Sequence, residues 1–159
     1  EAHLTTLLAD ELVYIVWQTG ARYYERLRAR VQEHPRLRLL QYIDRMDLAY
    51  AAADVALCRA GAITCSELMV TATPAILVPS PNVAEDHQTK NARSMAAAGA
   101  AILIPETNLH KAVAEKIPAL LKDRHGREQM AEAARKLARP DAAERIAREV
   151  LKLAGWQAT

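Results

Sequence analysis

The sequence predicts an α/β fold: a Rossmann-like parallel sheet with flanking helices. Three observations carry that prediction. Short apolar, β-branched runs alternate with stretches of helical spacing, the order of successive strand–helix units. The strand runs at 12–17, 55–58, 75–78 and 101–104 are continuously apolar, as strands covered on both faces must be. Each run stops at a turn or proline signal: Gln18-Thr19-Gly20, Arg59-Ala60-Gly61, Pro79 and Pro105.

Taken in order, residues 1–8 carry Ala2, Leu4, Leu7 and Leu8 at the spacing of a helix end. Residues 12–17 form the first strand. Residues 21–31 form an amphipathic helix with Tyr23, Tyr24, Leu27 and Val31 on its apolar side, and Pro35 closes the connection. A second strand at 37–43 and a short helix at 46–53 follow. The stretch 54–69 then reads as strand, small-residue turn and helix start. That helix ends near Thr73-Pro74, because proline disfavours helical backbone in the residue before it. A strand at 75–78, a helix at 85–99 with Gly99 as its C-cap, and a last strand at 101–104 complete the alternation. The segment 109–159 is helical throughout: 109–121 with a kink or break at Pro118, then 126–138, then a helix from Asp141, its candidate N-cap, to Leu153.

Composition narrows the function. The 159 residues are 51% apolar and 25% charged with a net charge of +2, which fits one globular domain. Basic residues are dispersed among acids, so nucleic acid is not an expected partner. No apolar run has the length of a membrane span, no signal peptide is visible, and a reducing cytoplasm is the default location. Cys58 and Cys65 read as small buried hydrophobes. The histidines at 3, 34, 87, 110 and 125 lack ligand spacing, so no metal is expected. There is no G-x-G-x-x-G turn, Walker lysine or G-x-S-x-G elbow, which removes support for nicotinamide, NTPase and serine-hydrolase chemistry. No cofactor is expected.

Ligands of parallel sheets bind beyond the carboxyl ends of the strands. Four loops converge on that rim: 18–20, 43–44, 59–61 and 79–86. The helix start after Gly61 presents unpaired N–H groups and the positive end of a dipole, a setting for phosphate. Glu67, one turn in, suits the hydroxyls of a sugar. Thr64-x-x-Glu67 also reads as a capping box that binds nothing. Asp86-His87-Gln88, with Asn91 one turn on, offers polar groups for a pyrophosphate or sugar. Equally, it reads as an ordinary polar junction capped by Asp86.

Five ordered blocks then carry a resemblance. They are Tyr42-Ile43-Asp44-x-Met46; Ala49-Tyr50-x-x-Ala53-Asp54; Cys58-Arg59-Ala60-Gly61-Ala62-Ile63-Thr64-x-Ser66-Glu67; Pro74-Ala75-Ile76-Leu77-Val78-Pro79; and Asp86-His87-Gln88-x-x-Asn91-Ala92. Together they resemble the carboxy-terminal domain of the MurG family over residues 12–153. These transferases move N-acetylglucosamine from UDP onto lipid I, giving lipid II for peptidoglycan. The resemblance implies one half of a GT-B glycosyltransferase, with this half binding UDP-N-acetylglucosamine. It implies that Ile43 holds uracil through its backbone, and that Ala62, Ile63 and Thr64 meet the diphosphate. Cys65 and Ser66 fall within the same binding segment. Glu67 takes the ribose hydroxyls, Gln88 with His87 faces the diphosphate or sugar, and Asn91 supports that loop.

Two departures qualify the resemblance. The family's domain opens with a strand and a GGSxGA turn that this chain lacks. In the order 3-2-1-4-5-6 that strand is central, so the strands at 12–17 and 37–43 are expected to lose their bridge to the others. The amino-terminal domain is absent too. The resemblance implies that it binds lipid I and the membrane surface, peripherally on the cytoplasmic face, and carries the catalytic histidine. No catalytic residue is therefore assigned within 1–159, and the isolated chain is expected to be inert. Other readings are another GT-B enzyme such as a UDP-sugar epimerase, a non-catalytic nucleotide-sugar module, and a piece whose incomplete sheet binds nothing.

Overall fold

A computed structural model describes residues 1–81 and 86–156. The elements alternate as expected through the first two-thirds of the chain. They are α1 (Leu4–Leu8), β1 (Ile15–Gln18), α2 (Ala21–Arg28), β2 (Leu37–Leu40), α3 (Met46–Ala52), β3 (Ala56–Cys58), α4 (Ala62–Thr71), β4 (Ala75–Leu77), α5 (His87–Ala97) and β5 (Ile102–Leu103). A 3₁₀ turn (Glu106–Asn108) leads into α6 (Leu109–Lys111), a π-helical segment (Ala112–Lys116), α7 (Ile117–Lys122), α8 (Arg124–Leu137) and α9 (Ala142–Leu153).

All strand pairing is parallel. β1 pairs with β2, Ile15 opposite Leu37. β3 pairs with β4, Ala56 opposite Ala75, and β4 with β5, Ile76 opposite Ile102. Among the described residues no ladder joins the two sheets, so β1 and β3 each have a single partner. This is the interruption expected where no strand lies between them.

β4 is the centre of the larger sheet, and period-two alternation divides the core about it. Ala75 and Leu77 face Leu68, Cys65, Tyr50, Ala92, Met95 and Ala134. Ile76 and Val78 face Ile104, Ala112, Leu120 and Met130. Leu68, Ile76 and Leu77 are fully buried, each stabilising the fold by about 1.5–3 kcal/mol through the area it removes from water. Alanine at 60, 75, 92, 100 and 134 lets helix and sheet backbones approach closely in a core without phenylalanine.

Several boundaries differ from the sequence expectation, each for a local reason. The first strand begins at Ile15, not residue 12. Asp10 holds residues 12 and 13 in a turn (Leu12 N–H to Asp10 Oδ1 3.0 Å, Val13 N–H to Asp10 O 3.1 Å), and the Arg36 guanidinium donates to the carbonyls of Leu8, Asp10 and Val13. The second strand stops at Leu40. α4 stops at Thr71, where Ala72 turns left-handed (φ 54°) and Thr73 N–H closes back on Leu68 O at 3.1 Å. α5 ends one residue before the capping pattern completed by Gly99 (φ 76°). Its N–H bonds Ala96 O, and Ala100 N–H bonds Met95 O at 2.9 Å. Residues 109–122 form one continuous helical run, without a break at Pro118. The backbone widens to π geometry before Pro118 enters the first turn of α7, where its missing N–H costs nothing. α8 begins at Arg124, two residues early, because Asp123 caps it through Gly126 N–H at 2.8 Å. Asp141 makes no side-chain cap on α9. The predicted start of α5 at Glu85 lies outside the described residues.

α9 has no buried residue, and Ile146, Val150 and Leu153 on its apolar side are exposed, as is Trp156 beyond its end. No helix among the described residues is long and apolar enough to cross a membrane.

Candidate donor-binding site

The rim is built at the turn between β3 and α4. Gly61 occupies the N-cap of α4 with extended backbone (φ −64°, ψ 152°) and has no side chain to cap with. The first intrahelical bond is Cys65 N–H to Gly61 O at 2.9 Å. The N–H groups of Ala62, Ile63 and Thr64 therefore open the helix with no side-chain cap, three aligned donors at the positive end of a ten-residue dipole. Ala62, Ile63 and Ser66 are exposed, and Thr64 is half-buried. The capping-box reading fails on position: Thr64 is the third helical residue, not the N-cap, so it cannot pair reciprocally with Glu67. Cys65 does not share this surface. Its side chain is 5% exposed within the core, and its N–H is spent on Gly61.

Glu67 is half-buried one turn further on. The Tyr50 side chain of α3 stands beside this carboxylate and the Cys58 sulfur. Burial, together with these two neighbours, raises the Tyr50 hydroxyl well above the ordinary phenol range. Burial likewise pushes the Cys58 thiol up to about 11, and raises that of Cys65. Both thiols are protonated near neutrality, so neither is a nucleophile there.

Neighbouring loops are tied to this turn by specific bonds. Asn91 Nδ2 donates to Ala60 O at 3.0 Å, joining α5 to the residue before the α4 cap. Ser80 N–H donates to Gln88 Oε1 at 2.9 Å, which orients the Gln88 amide. His87 is exposed at the first position of α5. Asp86, the N-cap, makes no side-chain cap and has left-handed backbone (φ 53°). The expected capping role is therefore absent, and the strained conformation sets the chain's entry into α5. Across the rim, Ile43 N–H donates to Gln18 Oε1 at 2.8 Å. A base held by the Ile43 backbone would meet its carbonyl directly and its N–H only after displacing Gln18.

Ile43, the α4 start with Glu67, and the Gln88–Asn91 turn all stand at the carboxyl ends of strands. The residues that sequence reasoning left without a role are those that hold the others: Gln18, Arg59, Ser80 and Tyr50. Gln18 and Arg59 were visible as strand-end polar residues on the rim. A surface concavity lies elsewhere, between α2 and β2, lined by Tyr24, Arg28 and Leu37 and by no candidate site residue. No group of three or more potential metal-ligating side chains occurs among the described residues.

Comparison with known proteins identifies the family. The family model described as the glycosyltransferase family 28 C-terminal domain matches residues 3–146. A Salinibacter ruber protein named UDP-N-acetylglucosamine–N-acetylmuramyl-(pentapeptide) pyrophosphoryl-undecaprenol N-acetylglucosamine transferase is 60% identical over 151 residues, 95% of this chain and 41% of the relative. A Porphyromonas gingivalis protein of the same name is 44% identical over 147 residues, 91% of this chain and 39% of the relative. The crystal structure of Acinetobacter baumannii MurG superposes with a TM-score of 0.74 at 31% identity, covering 87% of this chain and 41% of that one. The chain thus spans about two-fifths of the length of these relatives. On the strength of the matched model and these alignments, the chain belongs to the glycosyltransferase family 28 C-terminal domain family, and its relatives within it are MurG transferases.

Proposed function

We propose that residues 1–159 are the donor-binding domain of an inverting transferase that moves N-acetylglucosamine from UDP to lipid I, forming lipid II. The segment 109–159 is its helical carboxy-terminal part. The observation that carries the reading is the uncapped α4 start, with three N–H donors on the rim and the Glu67 carboxylate one turn behind them. The names of the relatives supply the sugar nucleotide. Ile43 holds the uracil by its backbone, Ala62 to Thr64 take the diphosphate, and Glu67 takes the ribose hydroxyls. Gln88 and His87 reach the diphosphate or sugar, and Asn91 braces their helix. Ser66 belongs to this segment by its exposure, whereas Cys65 contributes packing.

In the complete enzyme a base outside residues 1–159 deprotonates the acceptor hydroxyl, which attacks the anomeric carbon as the UDP oxygen leaves. Negative charge grows on the diphosphate, and the α4 dipole with its fixed N–H donors stabilises it there. Lipid I and the cytoplasmic membrane surface are met through a second domain, so this chain alone is catalytically inert. Glu67→Ala tests the site. In the full-length protein, calorimetric titration with UDP-N-acetylglucosamine should show about a tenfold or greater loss of affinity, the effect of removing hydrogen bonds to a charged group. Unchanged affinity would refute the ribose role. Formation of an epimerised sugar from the donor would redirect the reading to an epimerase.

A further inference from the structure

Arg59 lies between β3 and the Ala60-Gly61 turn, and its side chain runs across the carboxyl edge of the larger sheet. Nη1 donates to Val78 O and Pro79 O, both at 3.3 Å, where the chain leaves β4. Nη2 meets Glu106 Oε1 at 2.6 Å, just beyond β5. One planar guanidinium therefore joins the exits of β3, β4 and β5. We propose that Arg59 is a positioning residue for the diphosphate cradle: by pinning the turn before α4 to the two neighbouring strand exits, it sets where the Ala62–Thr64 N–H groups point. The proposal rests on the donor-site reading above.

Two features favour bracing over direct contact with phosphate. Three acceptors already occupy the guanidinium fork, and Glu106 neutralises its charge. The pair is also half exposed, with side-chain accessibilities of 47% and 39%, so it adds little to global stability. What it supplies is orientation. Loss of that orientation acts on the group that the α4 N–H donors hold and leaves the nucleoside end untouched. Lysine cannot replace it, since an ammonium group lacks the planar fork that spans three acceptors.

The test measures UDP and uridine binding to the full-length protein by calorimetry, with thermal unfolding as the fold control. Arg59→Ala should weaken UDP binding by about five- to tenfold, on the scale of lost pre-organisation. Uridine affinity should stay within about twofold, and Arg59→Lys should recover little. Glu106→Ala is the discriminating variant. If Arg59 braces the turn, removing Glu106 lowers UDP affinity as well. If Arg59 is a direct phosphate ligand, removing Glu106 frees it, UDP affinity rises, and the proposal is overturned. Full rescue by lysine, or an equal loss for uridine and UDP, would also overturn it. UDP binding that responds to Glu67→Ala but not to these variants refutes the brace alone. A protein that binds no UDP refutes the donor reading and the brace with it.

Discussion

The Asn91–Ala60 hydrogen bond ties α5 to the turn that opens the candidate site. Its worth follows from burial. Ala60 is 0% exposed, so its carbonyl has no access to water if Asn91 Nδ2, 3.0 Å away, is removed. Truncation by Asn91→Ala leaves that acceptor unsatisfied and costs its desolvation, about 1–3 kcal/mol. For a chain of 159 residues the melting temperature should fall by roughly 3–9 °C. Asn91→Asp should do more harm at neutral pH, because an ionised carboxylate turns a second acceptor toward the carbonyl. It should recover on acidification, when the protonated acid regains a donor. The assay is thermal unfolding by circular dichroism at pH 7 and pH 4, each variant compared with the parent. A melting temperature for Asn91→Ala within about 1 °C of the parent would refute the reasoning. It would mean that the Ala60 carbonyl finds water or another donor, and that α5 does not brace the α4 turn.

Two further outcomes follow from partly buried groups. Arg127 is 18% exposed; its Nη1 donates to Leu120 O at 2.9 Å and to Leu121 O, the last-turn carbonyls of α7, while Asp54 lies 3.7 Å away and is 72% exposed. Arg127→Ala should therefore cost about 2–3 kcal/mol in urea unfolding and Asp54→Asn under about 0.5 kcal/mol; equal effects would mean that the ion pair, not the helix-end carbonyls, is what Arg127 serves. Alkaline stability should respond to Cys58. Its thiol is pushed up to about 11 in the fold from an ordinary 9.0, so between these values the unfolded chain has shed a proton that the folded chain keeps. Stability attributable to the protonated thiol is complete below pH 9 and falls as pH rises toward 11, by at most about 2–3 kcal/mol. Cys58→Ala should flatten part of that decline in melting temperature between pH 8 and pH 11; an unchanged slope would refute the assignment.

Much of this molecule was legible before any coordinates. Continuous apolar runs bounded by proline and glycine located the strands, because a strand buried on both faces has no polar side to show. The small-residue turn at Arg59-Ala60-Gly61 followed by helical spacing located the α4 start, because only a turn without bulky side chains brings a helix N-terminus to the sheet edge. The absence of an opening strand foretold two separate ladders. These are local or periodic properties, and a linear chain displays them directly.

Tertiary structure decided the rest, because the decisive atoms come from distant segments. The phase of α4 turned Thr64 into a third helical residue and sent Cys65 inward, which no spacing within 62–67 distinguishes from a capping box. The left-handed backbone of Ala72 goes with its buried position after α4, which an alanine does not announce. The bonds from Gln18 to Ile43, from Asn91 to Ala60 and from Arg59 to Glu106 span 25, 31 and 47 residues. The sequence by itself determined which residue types stand at the ends of the strands. Only the fold determined that the α4 start carries no side-chain cap and that distant residues brace its turn, the arrangement on which the proposed diphosphate site rests.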